Sequence, residues 1–488
     1  MSWEAKRGLS LLALASALGV AGDLLFVGHR LGVNVFLFTL CFIGALAVVL
    51  GVGGGSWHQG RRWMAAPLLL FAAAFLWHSS PLLTATNVLA LAGAVTLGAL
   101  RRTQPRPQDA GIGDYAAGLA AAGAGAFAGG VHLLRRDVPW LDATRRLRHE
   151  QVAAIGRGLA IGTPFVVLFG GLFIAADSVF ERLVTSAVPM SFTSPWPHIV
   201  VIPGIAWLSA GLLRDLAANR EEERLVSPEV LTRSATPATL GSTELIIVLS
   251  ALDLLFLAFV LVQVRYLFGG AALVQSHAHL TYATYARHGF FELVAVSVLI
   301  VPVVLAANML ARERVRIVRS LSAALVLLEL VVAASALERL RAYVHQFGLT
   351  ELRMYTSGVV IWLAVVLVWA LATVVRGHGR RFAVGAVVAG FVASAALNVL
   401  NPDALIARTN LARPAPDASY LGRLSDDAVP VLLARLPSVH DAAVRRSLAQ
   451  ALLDRRVDRD LLGWNMARSR ARTELARHHA ELLRLAGG

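Results

Sequence analysis

Apolar runs of near-constant length dominate the chain. They lie near 8–28, 31–53, 63–79, 82–100, 158–180, 198–214, 244–268, 286–310, 319–338, 355–375 and 382–400. Each run is continuously apolar rather than alternating, which predicts helices and not barrel strands, because a lone helix satisfies its own backbone hydrogen bonds in lipid. A bilayer core of about 30 Å takes roughly 20 residues of helix, the length these runs have. The expected fold class is all-α, a polytopic helical membrane protein with about 11 transmembrane helices. The count rises to 12 if the Gly/Ala-rich stretch 115–134 also crosses. The first run lacks a small-residue cleavage site and reads as a retained anchor.

After Leu400 the pattern becomes polar. Asn401-Pro402-Asp403 closes the last span, and Pro414 and Pro416 mark a loop. Ser425-Asp-Asp-Ala predicts a helix cap with Pro430 in the first turn, continuing to about Leu436. Further helices are expected near 441–455 and 458–485, where Val444, Leu448, Leu452, Leu461, Leu462 and Met466 recur at three- and four-residue spacing. The organisation is therefore an amino-terminal four-helix membrane region (1–100) and a linker (101–157) with a re-entrant or interfacial segment at 115–134. A core membrane domain (158–400) and a carboxyl-terminal soluble helical domain (401–488) follow. So small a bundle completes its core against the membrane domain. Its Arg468, Arg470, Arg472 and Arg477 suit either lipid phosphates or a solvated helix face.

Composition narrows the class further. With 57% hydrophobic residues, 16% charged and a mean hydropathy of +0.64 over 488 residues, one soluble globular domain is excluded. The formal charge of +14 does not indicate nucleic acid. Lys6 is the only lysine, and much of the arginine sits in short loops between spans, the pattern of cytoplasmic retention. Lys6 and Arg7, Arg61 and Arg62, Arg101, Arg102 and Arg106 fall on one side of the membrane. Arg214, Arg220 and Arg224, the cluster from Arg312 to Arg319, and Arg376, Arg380 and Arg381 join them if 115–134 does not cross. The expectation is a cell-membrane protein with its amino terminus in the cytoplasm and its terminal domain outside. The single cysteine, Cys41, permits no intramolecular disulfide.

Several stretches carry a family resemblance. Arg265-Tyr-Leu-Phe-Gly-Gly, Thr281-Tyr-Ala-Thr-Tyr-Ala-Arg-His-Gly-Phe-Phe-Glu-Leu293, Phe347-Gly-Leu-Thr-Glu-Leu-Arg353 and Asn401-Pro-Asp-Ala-Leu-Ile-Ala-Arg-Thr-Asn410 resemble a bacterial polytopic membrane family. That family is known only as a domain of unknown function, of the DUF4173 and DUF4153 type. The likeness runs from about residue 158 onward, with an echo in Gly32-Val-Asn34. It implies an integral membrane protein with no assigned activity. His288 stands where the family usually carries a second arginine.

Charged residues at span ends are costly and point to function. Arg265, Tyr282, Tyr285, Arg287, Glu292, Arg339, Glu351, Arg353 and Asp23 fall on the expected outer face. They suit a cleft for an anionic or lipid-linked ligand, with arginines on phosphate or carboxylate, tyrosines packing a headgroup, and a carboxylate as base. The bland alternative is that Tyr and Arg are interfacial anchors and Glu292 a helix-locking ion-pair partner. Asp253 and Glu329, inside spans seven and nine, are candidate proton carriers. Otherwise they are neutral or hydrogen-bonded to a nearby serine or carbonyl. His277, His279, His288 and Glu292 have ligand-like spacing, but without support from the family pattern no metal is assigned and no cofactor is expected. Membrane lipids are the expected partners. Three function classes stay open: export of an envelope metabolite or lipid, an enzyme acting on a lipid-linked sugar at the outer face, and a non-catalytic scaffold.

Overall fold

The computed structural model describes residues 3–52, 62–99, 110–134, 196–217, 242–268, 290–311, 314–457 and 459–487. Among these residues the regular structure is helical throughout. The membrane helices are α1 (Trp3–Phe26), α2 (Val33–Val52), α3 (Arg62–Ala74), α4 (Pro81–Ala99), α5 (Ile112–His132) and α6 (Trp196–Ala217). They continue as α7 (Ser242–Phe268), α8 (Phe290–Leu310), α9 (Val315–Phe347), α10 (Glu351–Thr373) and α11 (Arg380–Leu400). Nine helices among the described residues are long and apolar enough to cross a bilayer; α3 and α5 are outside that number. The apolar run at 63–79 becomes a 13-residue helix, roughly 20 Å of rise, followed by an irregular turn at 75–80. The run at 158–180 lies outside the described residues. Segment 115–134 falls in α5, one continuous helix of 21 residues.

Close backbone approach organises the first half. In lipid no hydrophobic force drives helices together, so small residues that permit dense packing carry the association. Gly19 and Gly22 of α1 face Ile202, Ile205 and Ala206 of α6. On the other flank of α6, Gly125, Gly129 and Gly130 of α5 face Asp215, Gly211 and Trp207. A Cβ at Gly211 would overlap the Gly125 and Ala126 carbonyl oxygens. The Arg7 guanidinium donates to the Ala217 carbonyl at 2.9 Å, and His198 meets Asp23, so α6 runs antiparallel to α1.

The second half packs along a seam. Val318, Leu325, Val332, Ala336 and Leu340 form a three- and four-residue stripe on α9, buried against α7 and α8. Leu249, Phe256 and Val260 supply the facing stripe of α7. Asn87 of α4 and Asn398 of α11 exchange side-chain hydrogen bonds at 3.1 and 2.8 Å, tying the two halves within the apolar zone.

Six short helices, α12 (Pro402–Leu411), α13 (Ala418–Arg423), α14 (Val429–Arg435), α15 (Ala442–Leu453), α16 (Met466–Arg477) and α17 (His479–Gly487), form the terminal unit. Ile406, Leu421, Leu432, Leu448, Ala471 and Leu482 build its core, and Leu349 from the α9–α10 turn enters the same cluster. The loop expected at Pro414 and Pro416 lies between α12 and α13. One sequence expectation is corrected: the helix expected over 458–485 starts only at Met466 and breaks at His478. The reason is competition for backbone groups. Asn465 caps α16 by accepting from the Arg468 N–H, while the carbonyls of Leu462 and Trp464 accept from Asn34 and Val33. The Met466 and Ala467 N–H groups donate to the carbonyls of Leu76 and Trp77. Residues 462–467 are thus wedged between the α1–α2 and α3–α4 turns.

All these contacts fall at one end of the membrane helices, here the capped end. The α1–α2, α3–α4 and α9–α10 turns and the close of α11 are there. The opposite end carries the starts of α1, α3, α9 and α11 and the ends of α4, α6 and α10, with the Gly377 turn against Arg319.

Candidate functional site

Two buried polar groupings stand out, one at the junction under the terminal unit and one inside the helix bundle.

At the junction the Asp427 carboxylate is buried and gathers five donors. His78 Nδ1 lies 2.7 Å from Oδ1; Ser79 N (2.7 Å), Ser79 Oγ (3.1 Å), Ser80 N (3.1 Å) and Ser425 Oγ (3.2 Å) converge on Oδ2. The anticipated Ser425-Asp-Asp cap is therefore not formed: Ala428 holds the cap position without a side-chain bond, because Asp427 has turned to the membrane domain. Burial works to raise the Asp427 carboxyl, but the His78 imidazole and the Ser79 donors outweigh it and hold it below the usual carboxylate range. Asp403, fully buried beside it, goes the other way: burial raises it, Ser425 pulls it back and the Asp427 charge adds to the rise. Ser80 and Tyr355 lie beside Asp403, and Ser80 Oγ, Tyr355 OH and Asp403 Oδ1 are buried atoms that make no well-formed hydrogen bond among the described residues. His78 Nε2 is likewise without a partner among the described residues. The Glu351 carboxyl also approaches Asp403, and its backbone N–H donates to Tyr420 OH at 2.9 Å.

A second clasp lies alongside. Asp460 accepts from Arg30 N and Gly463 N, both at 2.9 Å, and pairs with His29 Nδ1 at 2.8 Å. Burial opposes its charge, but the two N–H groups and the imidazole hold it at about 2, down from 3.8. A depressed carboxyl stabilises the folded form fully above its ordinary pKa, and that contribution is lost as pH falls through the folded value. Protease access to the terminal unit of the wild type is therefore expected to rise between pH 3.8 and about 2. In Asp460→Asn the unit should already be more accessible at neutral pH, and the acid step smaller. An unchanged acid step in that variant would remove Asp460 from the docking.

The intramembrane grouping lies between α8 and α9. Glu329 is 0% exposed and replaces an apolar residue in the α9 stripe. One carboxylate oxygen accepts from Ser297 Oγ; the other, Oε2, has no partner among the described residues. About two turns toward the opposite end, roughly 10 Å along α9, Asn308 Nδ2 donates to Ser322 Oγ at 2.9 Å. Ser322 and Glu329 share a face of α9, as Ser297 and Asn308 do of α8. On α7, Asp253 lies on the face that buries Leu249, Phe256 and Val260, and neither carboxylate oxygen has a partner among the described residues.

The residues expected to line an outer cleft divide. Glu351 and Arg353 are at the junction. Arg353 is committed to the α9–α10 turn: its guanidinium donates to the Gly348 carbonyl and lies 4.1 Å over the Tyr343 ring. Asp23 is engaged by His198 Nδ1, at 2.8 Å from both oxygens. Arg339 sits half-buried near the capped end of α9, and Glu338 pairs with Arg341 at 2.5 Å on an exposed face. Arg265 and Glu292 fall in α7 and α8, with side chains beyond what is described; Tyr282, Tyr285, Arg287, His277, His279 and His288 lie outside the described residues. Among the described residues no group of three or more His, Cys, Asp or Glu side chains is arranged to hold a metal. His78, Ser80, Asp403, Asp427 and Ser297 were not singled out from sequence as site residues. Asp403 alone carried a signal, within the Asn-Pro-Asp stretch.

Residues 65–434 match the family described as Domain of unknown function (DUF4153), and the chain belongs to it. No curated protein and no solved structure matches the chain. The matched region holds the Asp427 clasp and the α8–α9 grouping, whereas the Asp460 clasp lies beyond it at both partners. With its apolar helices the chain is an integral membrane protein.

Proposed function

We propose that this DUF4153 member is a transporter that exports a cell-envelope metabolite or lipid, with Glu329 as the proton carrier of the coupling. One observation supports the reading above the others: a fully buried carboxylate at mid-bundle whose second oxygen has no partner among the described residues. An ionisable group held in hydrocarbon is expensive, and it is retained where it faces another element and exchanges a proton. Ser297 orients one oxygen and leaves the other to take up or release the proton. The Asn308–Ser322 rung extends the polar face toward the opposite end, and Asp253 supplies a second carboxyl on the neighbouring helix. An anionic or lipid-linked ligand would enter near the capped end, where Arg339, Glu351 and the Ser80 and Tyr355 hydroxyls lie.

The orientation we propose rests on the same frame. Lys6, Arg7, Arg62, Arg214, Arg314, Arg316, Arg319, Arg376 and Arg381 all sit at the end away from the terminal unit, which favours that end as cytoplasmic. The end of α4 and the start of α6 lie at opposite ends, a relation that takes an odd number of crossings between them.

The test is proton movement in proteoliposomes that carry a pH dye and the native lipid extract. Glu329→Gln keeps the size and the Ser297 bond but cannot carry the proton; Asp253→Asn does the same on α7. Both variants should fold, and Glu329→Gln should abolish proton flux and fail to complement a deletion strain. Full flux and full complementation by Glu329→Gln would end the transport reading.

A further inference from the structure

We infer that the segment 461–466, which leads into the wedge, is a membrane-resting surface, seating the terminal unit in the headgroup boundary of the bilayer beside its own spans. The argument needs only that the helices cross a membrane, so it stands apart from the transport reading. Leu461 is 86% exposed, and Trp464 and Met466 beside it are also exposed. Exposed apolar side chains on a water-facing domain are unfavourable when they cluster, and these do cluster. The Trp464 carbonyl accepts from Val33, beside exposed Leu31, and Met466 N donates to the Leu76 carbonyl, beside exposed Trp77. Five large apolar side chains from three chain segments thus share one rim at the capped end.

Depth identifies what covers them. Helix α4 has 19 residues, about 28 Å of rise, which matches a hydrocarbon core of about 30 Å. Pro81 therefore lies at the hydrocarbon boundary, and Trp77, four residues earlier, lies in the headgroup zone. Tryptophan is favoured at that level, because its ring is apolar and its N–H polar. Charge agrees. Arg30 is exposed and its side chain has no partner among the described residues, while the nearby Arg468 guanidinium holds the Leu31 and Gly463 carbonyls. With the Asp460 carboxylate between them, the two cations still leave net positive charge above an apolar rim, which suits phosphates over acyl chains. The occupant is the bilayer already around the spans, continuous with the exposed Leu24 and Leu37 of α1 and α2.

Site-directed spin labelling of the full chain tests this in nanodiscs of phosphatidylethanolamine and phosphatidylglycerol. The background is Cys41→Ser, so that Leu461→Cys carries the only nitroxide. A second variant, Leu483→Cys, places it on α17, which packs on α15 and α16 away from the membrane helices. Power saturation should find the 461 nitroxide accessible to oxygen and shielded from a water-soluble nickel chelate, a positive depth parameter. The 483 nitroxide should show the reverse. Equal nickel access at the two positions would overturn the proposal, whatever the outcome for proton flux.

Discussion

Asp427→Ala is expected to detach the terminal unit from the membrane domain while leaving the helix bundle folded. The substitution removes one acceptor and strands several donors. His78 Nδ1, Ser79 N and Ser80 N lose their carboxylate partner in a place that water does not reach freely. Breaking a buried charge-assisted cluster from one side costs about 3–5 kcal/mol, because the remaining groups stay desolvated and unpaired. That is a large share of the stability of a typical domain. Hydrogen exchange should show loss of protection at residues 78–80 and 424–436, with α8 and α9 unchanged. Because the Asp427 carboxyl is held below its usual range, the clasp is intact at neutral pH and weakens only as pH falls through that depressed value. Protection at 78–80 that survives Asp427→Ala would show that the clasp does not hold the two parts together.

Asn410→Ala should be nearly as damaging and more local. Its Oδ1 accepts from Leu349 N at 2.8 Å and its Nδ2 donates to Leu349 O at 2.7 Å, so one side chain pairs both backbone groups of a buried residue. Gly348 makes this possible: φ is +83°, and a Cβ there would come within 2.7 Å of Asn410 Oδ1. Leu349 in turn fills the core of the terminal unit. Loss of both bonds leaves two buried backbone groups unsatisfied, about 1–3 kcal/mol each. Asn410→Asp retains the acceptor and loses the donor, so it should fall between alanine and wild type. A thermal-shift series in detergent orders the three. Equal midpoints for all three would mean that Leu349 finds other partners.

The family match and the all-helical membrane architecture were legible from residues alone. Apolar run length sets where helices can sit, since lipid offers the backbone no other partner. Nine of the eleven expected runs correspond to helices of spanning length, and the run at 63–79 gives a shorter helix because its last five residues are used as a docking turn. Terminal-unit helices were less legible. Periodicity at Leu461, Leu462 and Met466 mimicked a helix, but the surrounding backbone groups find partners on another segment more than 380 residues away in sequence.

Candidate chemistry divided along the same line. Glu329 and Asp253 were visible as carboxylates within apolar runs, because an ionisable residue in such a run is conspicuous by its cost. Ser297 as the partner of Glu329 was not visible, since serine is unremarkable in a membrane helix and only the α8–α9 packing brings the two together. Arg353 looked like a ligand-binding cation and is instead bound to the turn that it stabilises. The two His–Asp clasps join residues 349 and 431 positions apart, beyond the reach of any local pattern.

By itself the sequence determined that this chain is a membrane protein, where most of its long apolar helices lie, and which carboxylates fall within them; hydrophobicity and helix length are properties of contiguous residues. Which polar groups meet, which stay unpaired, and that the terminal unit is clamped to two distant turns were decided only by tertiary structure. Those outcomes depend on the close approach of helices and turns, and that is set by packing across the whole bundle.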